Sequence, residues 1–158
     1  MTVEDLEGYG LEQMADDAIE EFLASQSVGV LGLPTAGVPY MIPLSYAYDD
    51  GSLYFTYLLG ESSQKGTLTA QSQRGRFLVY DVETMFRWKS VMLTGDLRQV
   101  PESEWPELKA HPRNSWRPSV LQSASTSAGV SVYEFAIREQ AGIEQTGLAP
   151  RFRENIET

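Results

Sequence analysis

Residues 40–59, YMIPLSYAYDDGSLYFTYLL, restrict the fold more than any other stretch of the chain. Two runs rich in tyrosine, leucine and isoleucine flank Asp49-Asp50-Gly51, and an Asp-Gly step between such runs predicts a β-hairpin. The first run does not alternate cleanly. Tyr40, Ile42, Leu44, Tyr46 and Tyr48 hold its even positions, while Met41, Pro43 and Ala47 hold odd ones. A strand with one face in water alternates apolar with polar residues. This hairpin is therefore expected to be covered on both faces. A barrel interior would cover one, and a partner subunit, a ligand or both would cover the other.

The remaining pattern extends that expectation. Ser27–Leu33 (SVGVLGL) reads as a strand closed by the turn composition of Pro34–Gly37, and further strands are expected over 76–82, 90–100 and 130–137. Asp17 and Glu20 give a helix start signal, and Ile19, Phe22 and Leu23 recur at helical spacing, which predicts a short amphipathic helix ending near Gln26. A second helix is expected from Ser62-Ser63 to near Gly75, and a third from Pro106, whose fixed φ suits a first helical turn. Strands joined mostly by hairpins, with two or three small helices, point to an α+β barrel. The expected organisation is a loosely held acidic arm over 1–13, one domain over 14–148 and a tail over 149–158.

Composition removes several classes of function. The 158-residue chain carries 22 acidic against 12 basic side chains, a net charge of −10, so it lacks the basic footprint that phosphate backbones require. Nucleic acid is therefore not an expected partner. Nine arginines accompany only three lysines, a balance suited to a halophilic protein kept soluble in high salt. Cysteine is absent and His111 is the single histidine, which excludes disulfides, thiol catalysis and zinc sites of the Cys/His kind. Redox or group-transfer chemistry would need a bound cofactor. No apolar run reaches the length of about 18 residues needed to span a membrane. The N-terminus also lacks the order of a signal peptide, so a cytoplasmic protein without membrane partners is expected.

Three constellations could carry chemistry. Pro43 interrupts a strand-like run, and because proline donates no ladder bond it implies an edge or a bulge. Freed backbone groups beside Leu44-Ser45-Tyr46 could bind the edge of a planar heterocycle, or the strand could be an ordinary edge. Ser62, Ser63 and Lys65 begin a helix, where a lysine opposes the helix dipole unless a bound anion reverses its effect. Phosphate binding is one reading there; an N-cap beside a solvated lysine is the other. Phe86-Arg87-Trp88-Lys89-Ser90 sets aromatics beside two cations, which suits an anionic ring-bearing ligand or a strand edge protected by charge. Trp105 and Trp116 read better as packing or interface residues than as ligand contacts.

Taken in order, FLASQSVGVLGL, VPYMIPLSYAYDDGSLYFTY, SSQKGTL, RGRFLVYDV and WKSVMLTGDLRQV resemble the pyridoxamine 5′-phosphate oxidase-like, FMN-binding split-barrel superfamily. The most specific block is P-x-x-x-P-L-S-Y-x-Y-D-D-G-x-L-Y-F, from Pro39 to Phe55, and VYEFAIREQAGIEQTG resembles the closing strand. The resemblance implies a six-stranded antiparallel split β-barrel that forms a homodimer, with flavins in clefts between subunits. It implies that Pro43, Leu44, Ser45 and Tyr46 lie along the isoalloxazine ring, with Tyr57 and Leu58 near the ring or ribityl chain. Ser62, Ser63 and Lys65 would hold the phosphate, and Trp88, Lys89 and Ser90 would approach the same cleft. The implied activity is FMN-dependent oxidoreduction of a small molecule, with hydride exchange at flavin N5. A flavin- or F420-binding carrier or sensor is the alternative. Many relatives carry histidine-serine where this chain has Thr56-Tyr57, and no histidine follows Val130, which argues against vitamin B6 oxidation; the lack of an axial histidine argues against haem.

Overall fold

The structure, a computed structural model, describes residues 7–58, 69, 72–110 and 130–147. Its elements are β1 (Leu11–Gln13), α1 (Asp16–Ser25), β2 (Val28–Leu33), β3 (Tyr40–Ser45), β4 (Ala47–Asp49) and β5 (Ser52–Leu58). They continue with β6 (Arg74–Thr84), β7 (Arg87–Val100), α2 (Trp105–Ala110) and β8 (Val130–Thr146). Among the described residues no helix is long and apolar enough to cross a membrane.

One antiparallel sheet runs in the order β3-β2-β6-β7-β8-β5-β4, with β1 added beside β8. Its two ends are β3 and β4, which are consecutive in sequence and separated by Tyr46 alone. The segment expected to be one strand over 40–48 is thus divided at Tyr46, and its halves close the sheet into a split barrel. The Tyr46 backbone N–H donates to Ser27 O at 2.9 Å, and its hydroxyl donates to Leu23 O at 2.7 Å. The first bond ties the corner of the barrel to the residue before β2 and the second ties it to α1, and burial pushes the Tyr46 hydroxyl pKa far above its ordinary value. The Asp49–Ser52 turn has positive φ at both central residues, 42° at Asp50 and 80° at Gly51, as a two-residue hairpin loop requires.

Other boundaries depart from expectation for identifiable reasons. β8 extends to Thr146 rather than ending near Ile137. Its second half, REQAGIEQ, is polar because many of its side chains face outward, so it does not read as a strand. A bulge marks the junction: Thr94 pairs with Glu139 and Gly95 with Ile137, leaving Arg138 as the extra residue. Leu11–Gln13, expected in the acidic arm, pair with Ile143–Gln145. The sheet therefore has eight strands rather than six, the additions being three-residue β1 and the divided β3/β4.

The barrel interior is aromatic. Phe55 stacks on Phe77 with ring centroids 5.1 Å apart, and Phe135 lies 6.2 Å from each. Leu31, Leu33, Leu53, Val79, Val91 and Leu93 surround them, and α1 adds Ile19, Phe22 and Leu23. Two glycines leave room for these rings. A Cβ at Gly29 would lie 2.3 Å from Phe77 Cε1, and one at Gly95 would lie 2.5 Å from Phe135 Cε1.

Candidate functional site on the outer sheet face

Side chains alternate across a strand, so the register fixes which residues share the outer face. In β2, Gly29, Leu31 and Leu33 are buried while Val28, Val30 and Gly32 face outward. Following the pairing outward from Val30 gives a cross-strand row of Pro43, Val30, Leu78, Met92 and Ala141. Beside it stand Ser45 opposite Val28, and Tyr80 opposite Ser90, which pairs in turn with Ile143; beyond them Val82 pairs with Trp88, and Trp88 with Gln145. Val28, Met41, Tyr80 and Val82 are each more than half exposed. In this chain the outer face of β3, expected to be covered, opens to solvent.

The other half of that face is charged. Asp96 accepts from Arg138 Nε at 2.7 Å and from Arg74 Nε at 3.2 Å, and these arginines hold its carboxyl below the usual range. Arg98 bridges Glu104 at 3.0 Å and Glu134 at 3.3 Å. Tyr54 donates to Glu134 at 3.0 Å, and burial, followed by that carboxylate, pushes its hydroxyl up to about 12. These groups satisfy one another. No motif in the sequence announces them, because the partners lie on different strands.

The expected flavin contacts fall into separate groups. Pro43 and Ser45 project on the outer face, but the Leu44 and Tyr46 side chains are buried in the core and do not join them. The bond from Tyr46 N–H to Ser27 O sets the parity of β3. By that parity the backbone groups of Met41, Pro43 and Ser45 point away from β2, so Pro43 costs the ladder no bond. β3 is the terminal strand of the order, and this edge has no ladder partner among the described residues. A row of free N–H and C=O groups can accept from and donate to the polar edge of a flavin pyrimidine ring, so the residues present fit that group.

Trp88 and Ser90 share the outer face with Pro43. Trp88 Nε1 donates to Gln145 Oε1 at 3.0 Å, which fixes the indole plane. Lys89 projects from the opposite side of the sheet, paired in register with Asp81 and Glu144, and does not join its neighbours. β3 and β7 are three strand spacings apart in the sheet order, and Trp88 lies two rows beyond Pro43. That places the two side chains roughly 15–20 Å apart. Tyr57 and Leu58 end β5 opposite Ser131 and Val130, with side chains outside the described residues. Ser62, Ser63, Lys65, His111 and Trp116 also lie outside them. Trp105 is buried, with its Nε1 donating to Val100 O at 3.1 Å, as its packing reading anticipates.

A model of the pyridoxamine 5′-phosphate oxidase family matches residues 15–144. The chain belongs to this family. Solved structures share the fold of this family member at low identity. A FAD-binding protein from Mesorhizobium loti aligns with TM-score 0.69 at 22% identity, covering 86% of this chain and 99% of that one. A FAD- and heme-binding protein from Mycobacterium smegmatis aligns with TM-score 0.71 at 16% identity, covering 94% and 79%. A second FAD-binding protein from M. smegmatis aligns with TM-score 0.62 at 13% identity, covering 85% and 99%. No curated protein sequence matches the chain.

Proposed function

We propose that the protein is a flavin-dependent oxidoreductase whose cofactor sites form between two copies of the chain. Membership of the pyridoxamine 5′-phosphate oxidase family supports a flavin, and FMN is the form for which Ser62, Ser63 and Lys65 supply a phosphate grip. The FAD-binding descriptions of the Mesorhizobium and Mycobacterium proteins make FAD a competitor, and F420 is a further one.

One observation carries the dimer. Pro43 and Trp88 share a face yet stand too far apart in one protomer for a single ring system to touch both. An exposed apolar stripe lies between them. Packing that stripe against a second copy buries it and brings one subunit's Trp88 and Ser90 toward the other's Pro43–Tyr46 edge.

A bound flavin supplies hydride exchange at its N5. The chain's own groups bind and orient it: the β3 backbone edge addresses the ring, the Trp88 indole covers it, and Lys65 neutralises the phosphate. No side chain is required as an acid or base at this site. The replacement of the histidine-serine pair by Thr56-Tyr57 favours a second reading, a flavin carrier or sensor without turnover.

The deciding experiment is the absorbance spectrum and mass of the ligand released from the purified protein, followed by FMN titration. A flavin spectrum and saturable FMN uptake are expected; neither appearing would remove the proposal. Bound FMN that NADH and NADPH fail to reduce, and that no acceptor reoxidises, would favour the carrier. Lys65→Ala is expected to weaken FMN binding far more than riboflavin binding, and equal losses would remove the phosphate role. The acidic, lysine-poor composition supports adaptation to salt, which a melting temperature that does not rise with potassium chloride would refute.

A further inference from the structure

Where the apolar and charged halves of the outer face meet, the connection between β2 and β3 stands beside β6 and leaves an open groove of about 480 Å³. Pro34 and Pro39 make one wall above the buried Leu33, and Arg74, Gly75, Arg76 and Thr94 line the side formed by β6 and β7. The wall holds its own shape. Thr35 Oγ1 donates to Val38 O at 2.6 Å and accepts from Gly37 N–H at 3.2 Å, so the connection needs nothing from Arg76.

Gly75 faces the core, where a Cβ would lie 3.1 Å from Gly32 O and 3.3 Å from Leu33 Cδ2, so the missing side chain lets β6 pack closely on β2. At Gly32, which faces the outer side, a Cβ would meet only Arg76 O, at 3.8 Å. That position tolerates a side chain sterically, and a large one would fill the space.

The charge pattern around the groove is uneven. Arg74 and Arg138 share Asp96, Arg98 holds two glutamates, and Arg87 pairs with Glu83. Arg76 is exposed and forms no ion pair among the described residues. In a chain with a net charge of −10, carboxylates are abundant, yet none of the described ones pairs with this guanidinium. A free guanidinium beside an apolar wall matches a ligand with one anionic end and one apolar body. Asp96 and Glu139, which flank the β7 side in the register, disfavour a dianion.

We propose that this groove binds a small monoanionic carboxylate with an apolar body. Arg76 takes the carboxylate, Thr94 stands on the same side of the groove, and Pro34 and Pro39 pack the body. The assignment does not rest on flavin binding, since Arg76 lies across β2 from β3 and outside the Pro43–Tyr46 and Trp88–Ser90 groups.

The test uses the intact protein, labelled with ¹⁵N, and benzoate as the probe, with benzyl alcohol and inorganic phosphate as controls. Benzoate is expected to move the amide signals of Gly32, Gly75, Arg76 and Thr94 saturably, while the neutral alcohol and the phosphate bind far more weakly. Arg76→Gln, at an exposed position, is expected to weaken benzoate by about tenfold or more, the size of a lost charged hydrogen bond. Gly32→Leu, which leaves the charges in place, is expected to weaken it similarly by filling the groove. Benzyl alcohol or phosphate binding as well as benzoate, shifts centred elsewhere, absence of shifts, or unchanged affinity in either variant would overturn the assignment.

Discussion

The two halves of the outer sheet face are built from the same strands and solve opposite problems. Around Asp96 and Glu134, each charged group finds its partner within the chain: Arg74 and Arg138 on one carboxylate, Arg98 and Tyr54 on the other. Around Leu78 and Met92, the row from Pro43 to Ala141 has no such closure, and Met41, Val28, Tyr80 and Val82 stand in solvent beside it. The groups around Asp96 and Glu134 are paired within one copy, whereas the apolar half is the surface on which the proposed second copy would pack. Contiguous exposed apolar surface of this kind marks association sites. The same strands supply both, because a strand's outward positions are free to differ from one end to the other once its inward positions are committed to the barrel.

The largest effect separating the halves is expected at Met92→Arg. An unpaired guanidinium buried between two apolar stripes should weaken association by roughly 3–5 kcal/mol. Sedimentation should report a monomer that still melts cooperatively, and a dimer of undiminished strength would break the comparison. Next come Gly29→Ala and Gly95→Ala, which strike beneath the two halves. Each added methyl meets a core phenylalanine, so both should lose about 1–3 kcal/mol of stability in urea titration, the common core making them alike. If only one were costly, the halves would differ in the core as well as at the surface.

Smaller effects belong to the charged half. Arg98→Ala removes half-exposed ion pairs and should cost at most about 1 kcal/mol, with association unchanged in sedimentation. The last effect is one of pH, at Tyr54. Its folded pKa of about 12 lies above the unfolded value near 10, so its stabilising contribution is full below about pH 10 and is lost as pH rises toward 12. Tyr54→Phe should therefore lose less stability between those pH values than the parent chain. An identical alkaline decline in both proteins would show that burial and Glu134 do not raise the Tyr54 pKa in the fold.

How far these halves could be read from sequence depends on where each signal resides. The doubly apolar Tyr40–Tyr48 run announces an apolar outer face, and Asp49-Asp50-Gly51 announces its hairpin, because both signals are local. The break at Tyr46 is not local: it follows from bonds to Ser27 and Leu23, distant in the chain. REQAGIEQ conceals the second half of β8 because its outward polar residues mask the inward ones, and the Arg138 bulge breaks the alternation. Among expected site residues, Pro43 lies on the terminal strand with an open edge, as a proline in a strand implies. Trp88-Lys89-Ser90 reads as one cluster in sequence, but strand alternation sends Lys89 to the other side. Arg76 gives no sequence signal, since its distinction is the lack of a described ionic partner that every other described arginine has.

The central claim is that flavin binds where two copies of the apolar half meet. Flavin titration of the Met92→Arg monomer beside the parent protein, followed by fluorescence quenching, tests it most directly. The account predicts saturable binding to the parent dimer and almost none to the monomer; binding of equal affinity to both would contradict it.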